Sequence, residues 1–118
     1  MEKVLLDTNF LFVPFEFKVD VFEQLHELIG GPFEVIVLKE CLDEARSMRG
    51  FASVESWLKA RKVSIEKAGE GRPDDLIIEW SVANNARVCT NDLRLKRRLK
   101  KCEVQVICLM GKSKLGFA

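Results

Sequence analysis

The chain has 118 residues, 47% of them hydrophobic, which suits one domain with its own core and leaves no room for a second. Its 19 basic and 18 acidic residues nearly cancel, so net charge by itself points to no polyanionic or membrane partner. A single histidine, His26, and four cysteines without a C-x-x-C pair argue against a Cys/His zinc site. Cys41, Cys89, Cys102 and Cys108 read as buried, reduced thiols of a cytosolic protein. There is no secretory leader pattern, and no apolar stretch approaches the roughly 20 residues that span a bilayer, so a soluble, cytoplasmic protein is expected.

Lys3 to Leu6 is apolar on consecutive positions, the mark of a strand buried on both faces of a parallel sheet. A short helix is predicted from Asn9 to about Pro14, with capping chemistry from Thr8-Asn9. Val19 to Ile29 is amphipathic: Val19, Phe22, Leu25 and Ile29 fall at helical spacing, and Gly30-Gly31-Pro32 stops the helix. Phe33 to Leu38 reads as a strand, Lys39 to Met48 as a helix, and Phe51 to Lys62 as another after a break at Gly50. A short extended piece around Val63–Ile65 precedes a mobile loop, Ala68 to Arg72.

Pro73 opens a helix to about Asn85, as proline favours the first helical position. Arg87 to Thr90 is a strand, Leu93 to Lys101 a basic helix, Val104 to Leu109 a strand, and the tail from Gly111 adds a final edge strand. Strands alternating with helices predict a three-layer α/β/α fold around a parallel sheet.

Acids fall at the places where such a sheet builds its site, the carboxyl ends of strands. Asp7 ends the first strand and Asp92 follows the run Val88-Cys89-Thr90. Glu44 lies on the flank of its helix beside Cys41 and Ala45, with Glu40 one turn earlier. Asp74 shares a face with Ile77 and Ser81, whereas Asp75 lies about 100° round the helix. Each acid alone reads equally as a helix cap or a dipole partner. Together they form a carboxylate cluster that calls for a divalent cation, because unpaired carboxylates cannot all stay ionised at close range.

The runs L-L-D-T-N at 5–9, C-L-D-E-A at 41–45, D-D-L-I-I at 74–78 and C-T-N-D at 89–92 resemble the PIN-domain ribonucleases in order and spacing, including the 18-residue step from Asp74 to Asp92. The resemblance spans the whole chain. It implies that Asp7, Glu44, Asp74 and Asp92 hold one or two Mg²⁺ or Mn²⁺ ions and catalyse hydrolysis of RNA phosphodiesters. Asp75 and Glu40 stand as alternatives within the pairs, and Asn9 with Asn91 or Thr90 as polar helpers. The run D-L-R-L-K-R-R-L-K-K at 92–101 is similar to the ribosomal-RNA-processing branch of archaea and eukaryotes and implies an archaeal source; the VapC toxin branch is the second reading.

The expected partners are therefore RNA, a ribosome-assembly partner or an antitoxin, and a second copy of the chain through Phe51 and Trp57. Arg94, Arg97, Arg98 and Lys101 form a basic stripe suited to phosphates, and Lys112 and Lys114 extend it. Phe10, Phe15 and Phe17 are either stacking platforms or core. Two readings from other classes remain: a non-catalytic RNA-binding module, and a nucleotide-binding α/β domain that lacks the usual glycine-rich phosphate loop.

Overall fold

In the computed structural model, which describes residues 1–118, the elements in chain order are β1 (Glu2–Leu6), a 3₁₀ turn (Asn9–Phe12), α1 (Val13–Glu16), α2 (Val21–Ile29), β2 (Phe33–Leu38), α3 (Lys39–Ala45), α4 (Phe51–Ala60), β3 (Ser64–Glu66), α5 (Pro73–Asn84), β4 (Arg87–Cys89), α6 (Leu93–Lys101), β5 (Val106–Met110) and β6 (Lys114–Phe117). The strands form one sheet in the order β3-β2-β1-β4-β5-β6. The first five strands of that order run parallel, and β6 returns antiparallel along β5.

Val4, Leu5, Leu6, Val37, Leu38, Val88 and Cys89 have no exposure, as expected of strands with helices on both faces. α5 and α6 pack together against β1, β4 and β5, while α3 lies on β2 and α2 reaches β6. With the right-handed crossovers that parallel sheets adopt, the two sets cover opposite faces and give the expected three layers. The chain runs outward from β1 to β3, then jumps back to lay β4 on the other side of β1. The carboxyl ends of β1 and β4 therefore lie side by side where the strand order reverses, the crevice in which such sheets bind ligands. Leu6 pairs with Cys89, and the Asp7 amide donates to the Cys89 carbonyl at 3.1 Å, so both strands deliver their next residues to one level.

Several boundaries differ from expectation for local reasons. Thr8 is already helical and makes no capping hydrogen bond, so the segment after β1 is a 3₁₀ turn followed by α1, with Pro14 in its first turn. The helix expected from Val19 starts at Val21, because the Asp20 carboxylate caps it by accepting from the Glu23 amide at 3.0 Å. Gly30 closes it at φ +70°, a conformation that favours glycine. The loop expected to be mobile at 68–72 is tied down by Glu40, whose carboxylate accepts from the amides of Ala68 and Gly69 at 3.0 and 3.2 Å.

Cys102 is exposed, not buried: it caps the end of α6 at the solvent side, while Cys41, Cys89 and Cys108 are buried and none forms a disulfide. Phe10 is core, whereas Phe15 and Phe17 stay exposed, Phe15 meeting Trp57 edge-on at 6.3 Å. Trp57 also meets Phe22 at 5.3 Å, and Phe51 packs against the core beneath Arg46, so these aromatics close the core margin. His26 is exposed on α2 with its ring against Phe33 at 4.7 Å.

Gln24 fastens α2 to the edge strand. Its amide nitrogen donates to the Ser113 carbonyl at 2.7 Å and its oxygen accepts from the Leu115 amide at 2.6 Å. Replacing it with Ala leaves both backbone groups without a protein partner. Gln24→Ala is expected to destabilise the fold by about 1–2 kcal/mol and to speed amide exchange at Leu115 while leaving β1 protected. Thermal denaturation and hydrogen exchange check this; unchanged exchange at Leu115 would show that β6 is held by other contacts.

Candidate functional site

Asp7 is placed by β1 at the crevice, and only 5% of it is exposed. One carboxylate oxygen accepts from the neighbouring Thr8 amide at 2.7 Å, the other from the Thr90 hydroxyl at 2.8 Å. The same Thr90 oxygen accepts from the Asp92 amide at 3.1 Å, and Asp92 accepts from the Leu95 amide at 2.9 Å as the cap of α6. Thr90 thus links the two strand-end acids. Asn91 does not share this role: its side-chain oxygen accepts from the Leu109 amide at 2.7 Å and ties the loop to β5. Asn9 is exposed and makes no side-chain hydrogen bond.

Glu44, Asp74, Asp75 and Asp92 line a cleft of about 340 Å³ together with Arg72, Pro73, Arg94 and Arg98. Asp7 is not part of the lining but is buried within electrostatic reach of Asp74 and Asp92. On α5, Ile77 and Ser81 are buried and Asp74 half-buried on the same face, as its spacing predicts. Asp75 turns to α6, where Arg98 donates to its carboxylate at 2.6 Å. Glu40 does not line the cleft, because its carboxylate is spent on the loop amides. Burial pushes the Glu40 carboxyl up, but the amides of Ala68, of Glu40 itself and of Gly69 outweigh it and leave it below the usual range. Asp43 is exposed and pairs with Lys39 at 2.9 Å.

The basic stripe divides. Arg94 and Arg98 reach the cleft, while Arg97 and Lys101 are exposed elsewhere on α6, whose Leu95 and Leu99 are fully buried. Lys114 instead borders Asp20, the cap of α2, and Glu23 and Glu27 on that helix, so it does not extend the stripe. Arg72 lines the cleft although no spacing in the sequence pointed to it. Its only local signal is its place directly before Pro73-Asp74-Asp75.

The acids feel one another. Burial pushes Asp7 up to about 6, Thr90 and Thr8 pull it down, and Asp74 and Asp92 push it further up. Asp74 is also raised, by burial first and then by Asp92, against the pull of Arg98. Beneath them, burial drives the Cys41 thiol to about 12, with Asp7, Glu44 and Asp74 adding to it, so this cysteine is inert.

Residues 4–112 match the family described as "PIN like domain". The chain belongs to that family. Ribonuclease VapC4 of Methanocaldococcus jannaschii is 25% identical over 122 residues, covering 95% of this chain and 93% of the relative. The PIN domain endonuclease Utp24 has the same fold, with a TM-score of 0.83 and 21% identity over 98% of this chain and 90% of its own. VapBC2 of Rickettsia felis, bound to a DNA fragment from its promoter, matches with a TM-score of 0.59 and 18% identity over 80% of this chain and 92% of its own.

The donors fit a hard divalent cation. Asp7, Glu44, Asp74 and Asp92 offer oxygen alone, and Asp7 and Asp74 are raised by burial first and by their acidic neighbours second. No three of these acids are gathered closely enough to enclose an ion by themselves.

Asp7 is ionised only above its raised value, so its contribution to stability is complete below its unfolded value of 3.8 and is lost as pH rises through about 6. Metal-free protein is expected to lose about 3 kcal/mol from this group between pH 4 and 8. Asp7→Asn should remove most of that pH dependence and raise the melting temperature at pH 8. Melting curves in chelator across this range test it; an Asn variant that melts lower at pH 8 would show that the two hydrogen bonds outweigh the buried charge.

Proposed function

We propose that this PIN-domain protein is a metal-dependent endoribonuclease that hydrolyses RNA phosphodiester bonds. The observation that carries the proposal is the meeting of strand-end and helix acids at the reversal of the sheet, with arginines on the rim of the same cleft. Asp7, Glu44, Asp74 and Asp92 would hold one or two Mg²⁺ or Mn²⁺ ions. When bound, such an ion supplies an acidified water and neutralises charge on the phosphate.

The chain's own groups do the rest. Thr90 and the Thr8 amide fix both oxygens of Asp7, so the most buried acid cannot rotate away. Asp92 gives one oxygen to the Leu95 amide and keeps the other for the cleft. Asp75 holds Arg98 against α5, which places that guanidinium at the rim and offsets the repulsion around Asp74. Arg94 forms no ion pair and is available to a substrate phosphate; Arg97 and Lys101 would meet the strand further along. Phosphate contacts of this kind hold RNA without choosing its sequence.

The basic helix after Asp92 supports ribosomal-RNA processing as the setting, with a ribosome-assembly partner presenting the substrate. The similarity to a VapC ribonuclease supports a second reading, a toxin silenced by an antitoxin. A second copy of the chain is a further partner on either reading. No helix is long and apolar enough to cross a membrane.

Labelled single-stranded RNA should be cut in Mn²⁺ or Mg²⁺ and spared in chelator. Asp7→Asn and Asp92→Asn should each lower the rate by about a hundredfold or more, the scale of losing one charge-stabilising group from an active site. Native protein that binds RNA but never cuts it would favour a binding module. Variants that cut at the native rate would remove these acids from the site.

A further inference from the structure

Three arginines border the cleft, and they are not equivalent. Arg98 is held by Asp75, whereas Arg72 and Arg94 form no ion pair although four carboxylates line the same cleft. They come from different walls. Arg94 stands in the first turn of α6, and Arg72 is the residue that caps α5.

The backbone of Arg72 is fixed from both sides. Pro73 holds it extended, at φ −73° and ψ 143°, and its carbonyl accepts from the Leu76 amide at 3.0 Å. Gly71 lies at φ +139°, a backbone conformation in which any L side chain is strained, so the approach to Arg72 favours glycine. Further back, Glu40 of α3 holds the amides of Ala68 and Gly69. One carboxylate therefore anchors the segment that carries Arg72 to the rim.

We propose that Arg72 grips a substrate phosphate at the cleft that Arg94 also lines, and that Glu40 is the positioning residue that sets it there. This rests on the nuclease reading only in assuming that RNA phosphates enter the cleft. Two unpaired guanidiniums carried by different elements can engage two points of one backbone, which holds the strand at the acids as a single basic helix does not.

The test uses the full chain and fluorescein-labelled single-stranded RNA in Mg²⁺. Binding is measured by anisotropy in an Asp92→Asn background, so that turnover does not interfere, and cleavage is measured in the native background. Arg72→Ala should weaken binding about tenfold and lower the salt slope by about one, as the loss of one phosphate contact does. In cleavage it should raise KM by a similar factor and leave kcat within about twofold.

Glu40→Gln should give a smaller loss in the same direction. The double variant should bind no worse than Arg72→Ala alone, because Glu40 acts through Arg72. Should Glu40→Gln melt early, Glu40→Asp, which is too short to reach both amides, replaces it with the same expectation. Native-like binding by Arg72→Ala would overturn the grip, and losses that add in the double variant would overturn the positioning role. If no protein cuts RNA but Arg72→Ala still loses binding, the inference stands and the nuclease reading falls.

Discussion

A carboxylate at the end of a strand with helices on both faces is the constraint around which this molecule is arranged. Asp7 cannot reach bulk water from the end of β1, and its charge is tolerated only because Thr8 and Thr90 give it hydrogen bonds. Thr90 can do so only because β4 lies directly beside β1 and ends at the same level. The jump in strand order is thus more than topology. It sets the partner of the buried acid and, through the Asp92 amide, the start of α6.

Outward from Asp7, the charges are layered. Acids occupy the centre, where burial and their neighbours raise Asp7 and Asp74, and arginines line the same cleft. The Asp75–Arg98 pair joins α5 to α6 between these layers. Exposed pairs of this kind add little to stability, because water screens them and side-chain entropy opposes them. Its significance is geometric: α5 and α6 carry Asp74 and Asp92, which repel, and the pair draws the same two helices together. Repulsion at the centre and attraction at the rim therefore act on the same separation.

The strands, the helices and the placement of the acids at one edge of the sheet were legible because they rest on local patterns. Consecutive apolar residues meant buried strands, and Ile77 and Ser81 fixed the inward face that Asp74 shares. What escaped were roles set by distant partners. Glu40 resembled an alternative ligand at helical spacing from Glu44, and only the return of residues 68 and 69 gives its carboxylate another task. Arg72 sat in a glycine-containing stretch that looked mobile for the same reason. Asn91 and Thr90 were interchangeable on paper, because adjacent residues differ only in which strand they face. The cap at Thr8 failed because Thr8 is itself helical and the Phe10 and Leu11 amides go to the backbone carbonyls of Asp7 and Thr8.

Caps and ligands need not be competing explanations for the same acid. Asp92 gives one oxygen to the Leu95 amide and retains a second, and that bond fixes the direction in which the second points. A carboxylate that was free to rotate would spread its charge over several rotamers and give up entropy on meeting a cation. One that already serves α6 has its orientation set by folding. The same holds for Asp7, whose two hydrogen bonds use one lone pair on each oxygen and leave others. Helix capping and strand-end hydrogen bonding, the ordinary explanations for such acids, thereby become the means by which the cleft is preorganised.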